Sequence, residues 1–454
     1  MTRPEALARD PLAMTGVVIT TASAVVFIAL VIAMLAGMLD NPYAGLVVFI
    51  AIPAVFVVGL LLIPLAAWRQ QRAQRRDPHA AAPAGWPVID FRIASVRRTT
   101  LLIALLTAVN VVIILLAGYG GLHAMETPGF CGQACHTPMQ PQFTALQNAA
   151  HGHIACVSCH IGAGAAGFVR AKLSGVHQLV SVATNSYPRP IPPGAHMAPG
   201  AQARTCVNCH QPARLVGDRI KVIREYGDDE ENSETMTVLQ MHVGASTASE
   251  RAIHWHADPA VKVEYVSTDA EGQTIPYVKV TDAQGRAKEF RAADTTDQSI
   301  AGGSRQTMDC IDCHNTIGHP IAQTAEQAVD RAIAVGMISR DLPFVRREGV
   351  RLMKATYPSH DAAATAIDQG VRGFYESRGG ADPQAVKRTA AALQDIYGHN
   401  VFPTMNVTWG TYPGNIGHVT SMGCFRCHDD SHEAKDGTKI SGDCELCHTQ
   451  IERP

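Results

Sequence analysis

The 454-residue chain has almost no net charge, and nothing in its charge balance would attract a nucleic acid. It carries 38 Lys and Arg against 40 Asp and Glu, a formal net charge of −2. The charges are unevenly divided, because residues 1–122 hold nine basic and five acidic side chains and the remainder holds 29 and 35. Affinity for phosphate backbones needs a basic surface. The acidic balance after residue 122 therefore disfavours a nucleic-acid partner.

The part of the chain after residue 122 also lacks long apolar stretches. Its length of about 330 residues is enough for one or two domains. Glycines, prolines and short turns are frequent there instead, as in residues 161–167 and 187–200. A loop-rich chain of this kind needs another source of buried apolar surface in order to fold compactly.

No cysteine lies outside one repeated pattern. All 12 belong to five copies of Cys-x-x-Cys-His and one stretched copy, Cys-x-x-x-Cys-His. In chain order, motifs 1 to 6 are Cys131/Cys135/His136 (stretched), Cys156/Cys159/His160, Cys206/Cys209/His210, Cys310/Cys313/His314, Cys424/Cys427/His428 and Cys444/Cys447/His448. Two thiols at this spacing can each reach a vinyl group of one porphyrin, while the next side chain places its imidazole on the iron. The sequence therefore predicts six covalently bound c-type haems, which would supply much of the missing core.

Two other interpretations of the cysteines explain less of the pattern. Structural zinc would use paired Cys-x-x-Cys knuckles and would not need a histidine directly after each second cysteine. A disulfide framework suits a small secreted domain without a core, and a redox Cys-x-x-Cys would occur once.

Three uncharged stretches lie within the first 122 residues. Residues 14–39, 44–68 and 99–122 are each long enough to cross a hydrocarbon core of about 30 Å. The first is longer than the apolar region of about 7 to 15 residues that is typical of a cleaved signal peptide. The sequence therefore predicts a membrane anchor of three transmembrane helices.

The loops of this anchor predict its orientation. The loop between the first two helices carries only Asp40, whereas the loop between the second and third is basic. That second loop contains Arg69, Arg72, Arg75, Arg76, Arg92, Arg97 and Arg98 against Asp77 and Asp90. Basic loops stay in the cytoplasm. We therefore expect a cytoplasmic amino terminus, a multi-pass protein of a bacterial inner membrane, and a periplasmic domain after Leu122.

Four regions follow from these patterns. We expect a three-helix transmembrane anchor in 1–122, a periplasmic lobe with motifs 1 to 3 in 123–234, a β insert in 235–300, and a second lobe with motifs 4 to 6 in 301–454. Alternating apolar residues predict a small antiparallel insert. Helical spacing in 322–397, broken at 341–343, 357–358 and 379–380, predicts four or five short helices. The fold class is thus an α-helical membrane anchor plus a loop-rich, mainly α multihaem cytochrome c domain with a small antiparallel β insert.

Histidines are numerous enough to bind most irons on both sides. Bis-histidine ligation closes both axial positions and lowers the potential, whereas an open position allows chemistry on a small molecule. Twenty histidines minus the six in the motifs and His79 in the cytoplasmic loop leave thirteen. The predicted distal ligands lie near a motif or in a His-Trp-His triplet: His151, His254, His256, His319, His418 and His432. Met139, three residues after His136, is a candidate to bind or cap haem 1.

Motif 1 is expected to lie at the membrane surface, because Cys131 is only nine positions after Leu122. A lipid-soluble quinol could reach a haem there, and its oxidation requires polar groups that accept protons. The candidates are His123 and Glu126 after the third helix, and Lys172, His177 and Gln178 on an interfacial helix predicted at 168–182. Snorkelling or contact with lipid headgroups would explain the same residues.

The sequence around motifs 1 and 2 resembles a known family. Residues 130–141 read FCGQACHTPMQP and are followed by His151 and by CVSCHIG at 156–162. Over residues 124–215 this is similar to the NapC/NirT family of membrane-anchored multihaem quinol dehydrogenases. Residues 308–315 and 417–429 resemble a longer subgroup, linked to extracellular electron transfer in metal-reducing bacteria. The resemblance implies menaquinol oxidation near haem 1 and delivery of electrons to periplasmic acceptors.

The chain departs from that family pattern in three respects. Motif 1 has three residues between its cysteines where two are usual, and Met139 is three rather than two places after the histidine. Three anchor helices replace one. Lys172 matches a lysine that lines the family's quinol pocket, but Gln178 stands where a carboxylate is expected, so that His123, Glu126 or His177 would accept the proton.

These observations predict an inner-membrane hexahaem cytochrome that oxidises quinol. Its partners would be the quinol pool, membrane lipid and periplasmic c-type cytochromes or a reductase, in anaerobic or extracellular respiration, and it could form an oligomer. One alternative is a terminal reductase of nitrite or hydroxylamine, but such enzymes often mark the catalytic haem with a non-histidine ligand, and all six motifs carry histidine. A sensory or structural haem module is another, although no output domain is attached.

Overall fold

A computed structural model describes the chain in two compact units, Met1–Ala134 and Cys135–Pro454. The described residues are 10–35, 38, 47–76, 91–134, 136–161, 164–193, 206–211, 214, 217–244 and 252–451.

The first unit consists of long apolar helices. They are α1 (Pro11–Leu35), α2 (Ile52–Arg76) and α3 (Ala94–Met125), with π-helical turns at Val47–Ala51 and Phe130–Ala134. Their apolar spans, Pro11–Met34, Val47–Arg69 and Thr107–Met125, are long enough and apolar enough to cross a membrane. The prediction of three apolar helices is confirmed.

Helices α1 and α2 touch through glycines. A Cβ atom on Gly59 would lie 2.8 Å from the backbone nitrogen of Thr20 and 3.0 Å from the carbonyl oxygen of Gly16. Small residues at a crossing allow backbones to approach in this way, which is how helices associate where lipid removes the hydrophobic driving force. The close approach therefore depends on the missing side chain at residue 59.

We expect Gly59→Leu to destabilise the anchor, because a leucine has no space at this crossing. Overpacking costs roughly 1–3 kcal/mol, and the measurement is thermal unfolding of the detergent-solubilised protein. Gly118→Leu in α3 is the matched control, since nothing lies within 4 Å of a Cβ atom added there. Equal destabilisation by both substitutions would contradict the packing account.

The second unit begins with helices that carry His136 of motif 1 and the whole of motif 2. Helices α4 (His136–Gln147), α5 (Cys156–His160) and α6 (Gly164–Ala183) come first, and the predicted interfacial helix lies within α6. The later helices are α7 (Asp297–Gly302), α8 (Cys310–Cys313), α9 (Ala325–Ala334), α10 (Val345–Lys354), α11 (His360–Arg378) and α12 (Pro383–Asn400). Short 3₁₀ segments occur at Ile253–Ala257, Pro403–Met405, Gly423–Arg426 and Cys444–Leu446.

Two small antiparallel sheets lie between and after these helices. The strands are β1 (Arg219–Tyr226), β2 (Glu234–Met241), β3 (Lys262–Ser267), β4 (Tyr277–Thr281), β5 (Ala287–Arg291), β6 (Ser304–Thr307), β7 (Glu433–Ala434) and β8 (His448–Ile451). Their orders are β1-β2-β8 and β6-β3-β4-β5-β7. The sheets thus extend beyond the predicted insert at 235–300, because β1 precedes it and β7 and β8 come from the carboxyl-terminal region. Strands of two to four residues are too short to show an alternating pattern.

Helices α9 to α12 enclose the largest apolar core. Val329, Ile367 and Leu393 are fully buried in it. The helices begin where side chains accept backbone N–H bonds, as Thr324 does from Gln327 and Ser359 does from Ala362. The predicted breaks at 341–343, 357–358 and 379–380 all fall between these helices. Side chains rather than a cofactor form this core, since none of the six motifs lies within it.

Candidate haem centres

Motifs 2 to 6 each form a single helical turn. Motif 4 is helix α8, whose first turn is capped by the Asp309 carboxylate, which accepts from the backbone N–H of Ile311 at 2.9 Å. Motif 6 begins in a 3₁₀ turn capped in the same way by Asp443. Residues three and four positions apart lie on one face of a helix. A single turn therefore turns both cysteines and the following histidine to one side, as covalent attachment of a haem requires.

Five motif histidines each face a second histidine. The ring centres are 6.1 Å apart for His160 and His319, 6.1 Å for His210 and His151, 6.2 Å for His314 and His254, 5.9 Å for His428 and His256, and 6.1 Å for His448 and His418. In every pair one member belongs to a motif and the other was predicted as a distal ligand.

This spacing fits one iron between two imidazoles. A metal–imidazole bond is about 2 Å long, and the ring centre lies about 1 Å further on, so two rings on opposite sides of one iron are about 6 Å apart. All five pairs match. The residues present therefore fit haem iron with two axial imidazoles at motifs 2 to 6.

Backbone carbonyls orient several of these rings. The Nδ1 atom lies 2.7 Å from the Val243 oxygen in His254, 2.9 Å from the Ile253 oxygen in His256, 2.8 Å from the Gln142 oxygen in His319 and 2.9 Å from the Ser441 oxygen in His428. An Nδ1–H bond to a carbonyl fixes the tautomer that leaves Nε2 available to a metal. Burial also lowers the pKa of His256 and His319, which favours the neutral form.

The pairing crosses between motifs. His151 precedes motif 2 but faces the histidine of motif 3, and His319 follows motif 4 but faces the histidine of motif 2. His418 precedes motif 5 but faces motif 6. His254 and His256, which face motifs 4 and 5, come from the same 3₁₀ turn. Proximity in sequence to one motif therefore does not determine which motif a distal histidine faces.

The thiols show which motifs are neighbours. Burial raises the pKa of Cys206 in motif 3 to about 11, and its next causes are the thiols of Cys310 in motif 4 and Cys159 in motif 2. The pKa of Cys313 in motif 4 is also raised to about 11. Burial is the largest cause, and the nearby thiol of Cys424 in motif 5 is the next. Cys447 in motif 6 is raised to about 11 by burial and by the same Cys424. Motifs 2 to 6 therefore lie next to one another in chain order.

The second cysteine of motif 3 lies at the surface. Cys209 is exposed, as are Cys159 and Cys444, whereas the other described cysteines are partly buried. The turn around Cys209 is nevertheless closed, because its backbone N–H and that of His210 both donate to the Cys206 carbonyl, at 3.1 and 2.8 Å. A thioether forms at the edge of a porphyrin, so its sulfur need not be covered by protein. Burial thus gives no support to haem attachment at Cys209, which stays a prediction from the motif and its turn.

His432, also predicted as a distal ligand, has a different environment from the paired histidines. It is buried, with Nδ1 2.9 Å from Asp429 Oδ1 and Nε2 2.7 Å from the carbonyl oxygen of Ile275. Contacts of both ring nitrogens with protein oxygens disfavour His432 as a haem ligand.

Motif 1 is described only in part. Cys131 lies in the π-helical turn after α3, and Met139 lies partly buried in α4. Cys135 and the side chain of His136 lie outside the described residues. Among the quinol-site candidates of the first unit, the His123 ring stacks parallel to Tyr119, with ring centres 6.2 Å apart, and Glu126 is the carboxyl-terminal cap of α3.

Helix α6 carries an exposed apolar stripe. Val169, Leu173, Val176 and Val180 are 54–69% exposed and recur at helical spacing on one side. At about 100° per residue, Lys172 and His177 lie on the two edges of this stripe and Gln178 lies on the opposite side. Gln178 also donates to Ser174 Oγ at 3.2 Å. The geometry therefore favours Lys172 and His177 over Gln178 as residues beside an apolar molecule on this face.

Comparison with known proteins identifies the family. The NapC/NirT cytochrome c family, N-terminal region, matches residues 94–190. The cytochrome c-type protein ImcH of Geobacter sulfurreducens is 35% identical over an alignment of 457 positions. The alignment covers 97% of this chain and 88% of ImcH. The chain belongs to the NapC/NirT cytochrome c family. Members are membrane-anchored electron-transfer proteins with covalently bound haem c, and the sequence-based recognition is confirmed. No solved structure matches the chain.

The NapC/NirT match covers α3 to α6 and motifs 1 and 2. The histidine pairs of motifs 4 to 6 lie outside this region, in the part of the chain that is similar to ImcH. Sequence analysis missed one feature there, a hydrogen-bonded cluster of Tyr265, Asp312 and Arg426 between motifs 4 and 5. The available signal was a charged residue inside each motif, Asp312 in CIDCH and Arg426 in CFRCH.

Proposed function

We propose that this protein is a hexahaem inner-membrane cytochrome that oxidises a quinol, with menaquinol the expected one, and passes the electrons along its haems to periplasmic acceptors. The five histidine pairs carry the proposal. A haem with two imidazole ligands has a low potential and no open position. Five such sites in a membrane-anchored cytochrome favour electron transfer over turnover of a small molecule at a haem.

The proposed ligands follow from the pairs. His160, His210, His314, His428 and His448 are proximal, and His319, His151, His254, His256 and His418 are the corresponding distal ligands of haems 2 to 6. His136 is the proximal ligand of haem 1, with Met139 as the candidate on the other side. When bound, each haem supplies a one-electron Fe(III)/Fe(II) couple, and the protein sets its ligation, burial and neighbours.

The order of the haems is supported by the nearby thiols of successive motifs and by the His-Trp-His triplet. Because His254 and His256 are two residues apart on one 3₁₀ turn, this turn would hold haems 4 and 5 near each other. The neighbouring cysteines of motifs 2 to 6 support the same sequence of centres. Electrons would therefore enter near haem 1 and leave near haem 6.

The entry site is proposed on helix α6 beside the membrane. The exposed stripe gives an apolar ring system a surface to lie on, and Lys172 at its edge can donate a hydrogen bond to a quinol oxygen. Each quinol also releases two protons. The His177 imidazole on the other edge of the stripe is the acceptor that the helix geometry favours. The basic loop between the second and third helices supports a periplasmic location for this site.

Reduction by a quinol analogue tests the proposal. Detergent-solubilised protein mixed with a menaquinol analogue should become reduced at all six haems, and electron paramagnetic resonance of the oxidised protein should show low-spin iron at haems 2 to 6. A high-spin haem among these five, together with turnover of nitrite or hydroxylamine, would instead identify a terminal reductase.

The angles between paired rings predict two classes of low-spin signal. The planes make 9° for His254/His314, 24° for His418/His448 and 37° for His160/His319, but 73° for His151/His210 and 85° for His256/His428. Parallel imidazoles separate the iron dπ orbitals and give rhombic spectra, whereas perpendicular rings leave them nearly degenerate and give a large maximal g value. We therefore expect three rhombic haems and two of the large-g type among haems 2 to 6.

Two substitutions on one turn check these assignments. His254→Ala should remove a rhombic signal, and His256→Ala should remove a large-g signal. Each serves as the control for the other because the positions are two residues apart. Loss of the same class of signal in both variants would contradict the pairing.

A further inference from the structure

A buried arginine lies between motifs 4 and 5. Arg426 occupies the position before the second cysteine of motif 5 and is 9% exposed. Its guanidinium donates to three backbone carbonyls: Nε to Gly423 at 2.8 Å, Nη1 to Gly272 at 2.9 Å and Nη2 to Asp312 at 2.8 Å. The planar, fork-shaped donor set of arginine suits such a multiple contact.

The three carbonyls belong to different segments. Gly423 begins the turn of motif 5, Gly272 lies between strands β3 and β4, and Asp312 lies inside motif 4. The Asp312 carbonyl also accepts from Asn415 Nδ2 at 2.9 Å, and Asn415 accepts in turn from Gln273. Arg426 therefore joins motif 5 to motif 4 and to the segment between strands β3 and β4 that contains Gly272.

The charge of Arg426 is solvated by carbonyl dipoles rather than by a carboxylate. The side chain of Asp312, an acidic group that Arg426 influences, accepts from the hydroxyl of Tyr265 and from the backbone N–H of Asp309. Arg426 bonds to the carbonyl of Asp312 and not to its carboxylate oxygens. Because arginine does not lose its proton in proteins, a positive charge remains in this buried place.

That charge lies beside cysteines of both motifs. Arg426 directly precedes Cys427 of motif 5, and its Nη2 bonds to the carbonyl of Asp312, which directly precedes Cys313 of motif 4. The same two cysteines would form thioether bonds to haems 5 and 4. A charge held beside both cysteines therefore also lies beside the porphyrins that they would hold.

We propose that Arg426 is a positioning residue that clamps haem 5 against haem 4 and raises their reduction potentials, that of haem 5 most. This inference rests on the proposed attachment of haems at motifs 4 and 5. Reduction adds one negative charge to a haem, and a fixed cation in a poorly screened interior favours the form that carries it. The effect is greatest at haem 5 because Arg426 belongs to its attachment loop, which makes transfer from haem 4 to haem 5 more favourable.

Redox titration of Arg426→Gln tests the proposal. We expect one or two of the six one-electron steps to move to lower potential, by about tenfold in the reduction equilibrium, which is about 59 mV for one electron. Arg286→Gln is the control, because Arg286 is exposed on the β4–β5 turn and paired with Asp282. The control should titrate like the wild-type protein.

Arg426→Lys separates charge from clamping. Lysine keeps the charge but cannot reach three carbonyls in a fork, so we expect potentials near those of the wild type and a lower unfolding temperature. A shift in the lysine variant as large as in the glutamine variant would overturn the electrostatic part of the proposal. If Arg426→Gln loses haem, the neutral Arg426→Met variant replaces it in the same titration, and unchanged potentials there would overturn the electrostatic part of the proposal.

The proposed function and this inference can fail separately. Fewer than six haems in the mass of the wild-type protein would contradict the proposed haem attachment. An unchanged titration of Arg426→Gln in a protein with all six haems would overturn the role of Arg426 and leave the proposed function intact.

Discussion

Replacing His319 with alanine should leave haem 2 five-coordinate and high-spin, although His319 lies five residues after motif 4 and far from motif 2 in the sequence. The expectation follows from the 6.1 Å between the rings of His319 and His160, and from the bond between His319 Nδ1 and the Gln142 carbonyl, which leaves Nε2 for the iron. One sixth of the haem should change spin state. Electron paramagnetic resonance and magnetic circular dichroism measure that fraction.

A double substitution shows which haem is affected. If His254 binds haem 4 and His319 binds haem 2, then His254→Ala combined with His319→Ala should produce two high-spin haems, the sum of the single variants. If both histidines served haem 4, the double variant would show only one. His399→Ala is the control, because His399 lies on α12, where its Nδ1 contacts the Asp395 carbonyl. The control spectrum should match that of the wild type.

Lys172→Ala should slow reduction by a menaquinol analogue and leave reduction by dithionite unchanged. Loss of a hydrogen bond from an ammonium to the quinol oxygen removes roughly 1.5–3 kcal/mol, which corresponds to a rate about ten to a hundred times slower. Stopped-flow absorbance of the haems measures both reactions. Dithionite reduces haems without entering a quinol site, so its rate reports whether the haem chain is intact.

Two further variants sharpen this experiment. Lys172→Arg keeps a cationic donor at the edge of the α6 stripe and should retain most of the quinol rate. Lys387→Ala, on α12 in the segment without motifs, is the matched control for the loss of one lysine. Equal quinol rates in Lys172→Ala and the wild type would remove Lys172 from the proposed site.

Elements with local signals could be predicted closely. The three apolar stretches predicted the three long helices of the first unit, because the length of an uncharged stretch is enough to recognise such a span. Prolines and paired glycines at 341–343, 357–358 and 379–380 fall in the gaps between helices α9 to α12, because proline breaks a helix and glycine weakens it. In each case the determining interaction is between residues a few positions apart.

The sheets and the cluster around Arg426 could not be predicted in this way. Strand β8 pairs with β2 across about two hundred residues of chain, and it is too short to show a period of its own. Arg426 appeared as an ordinary charged residue between two cysteines, and only its burial among carbonyls of three segments distinguishes it. Partners brought together by tertiary contacts leave no mark in the local pattern.

The sequence by itself determined what each motif can hold, because two cysteines and a histidine on one helical turn are a complete attachment site whose geometry is set by neighbouring residues. Tertiary structure alone decided which histidine faces which motif. His151, His319 and His418 each lie beside one motif and face another, and His432, equally close in sequence to motif 5, has both ring nitrogens bound by protein oxygens. The second axial position lies several ångströms from the attachment turn, so a segment from elsewhere in the chain must fill it, and only packing selects that segment.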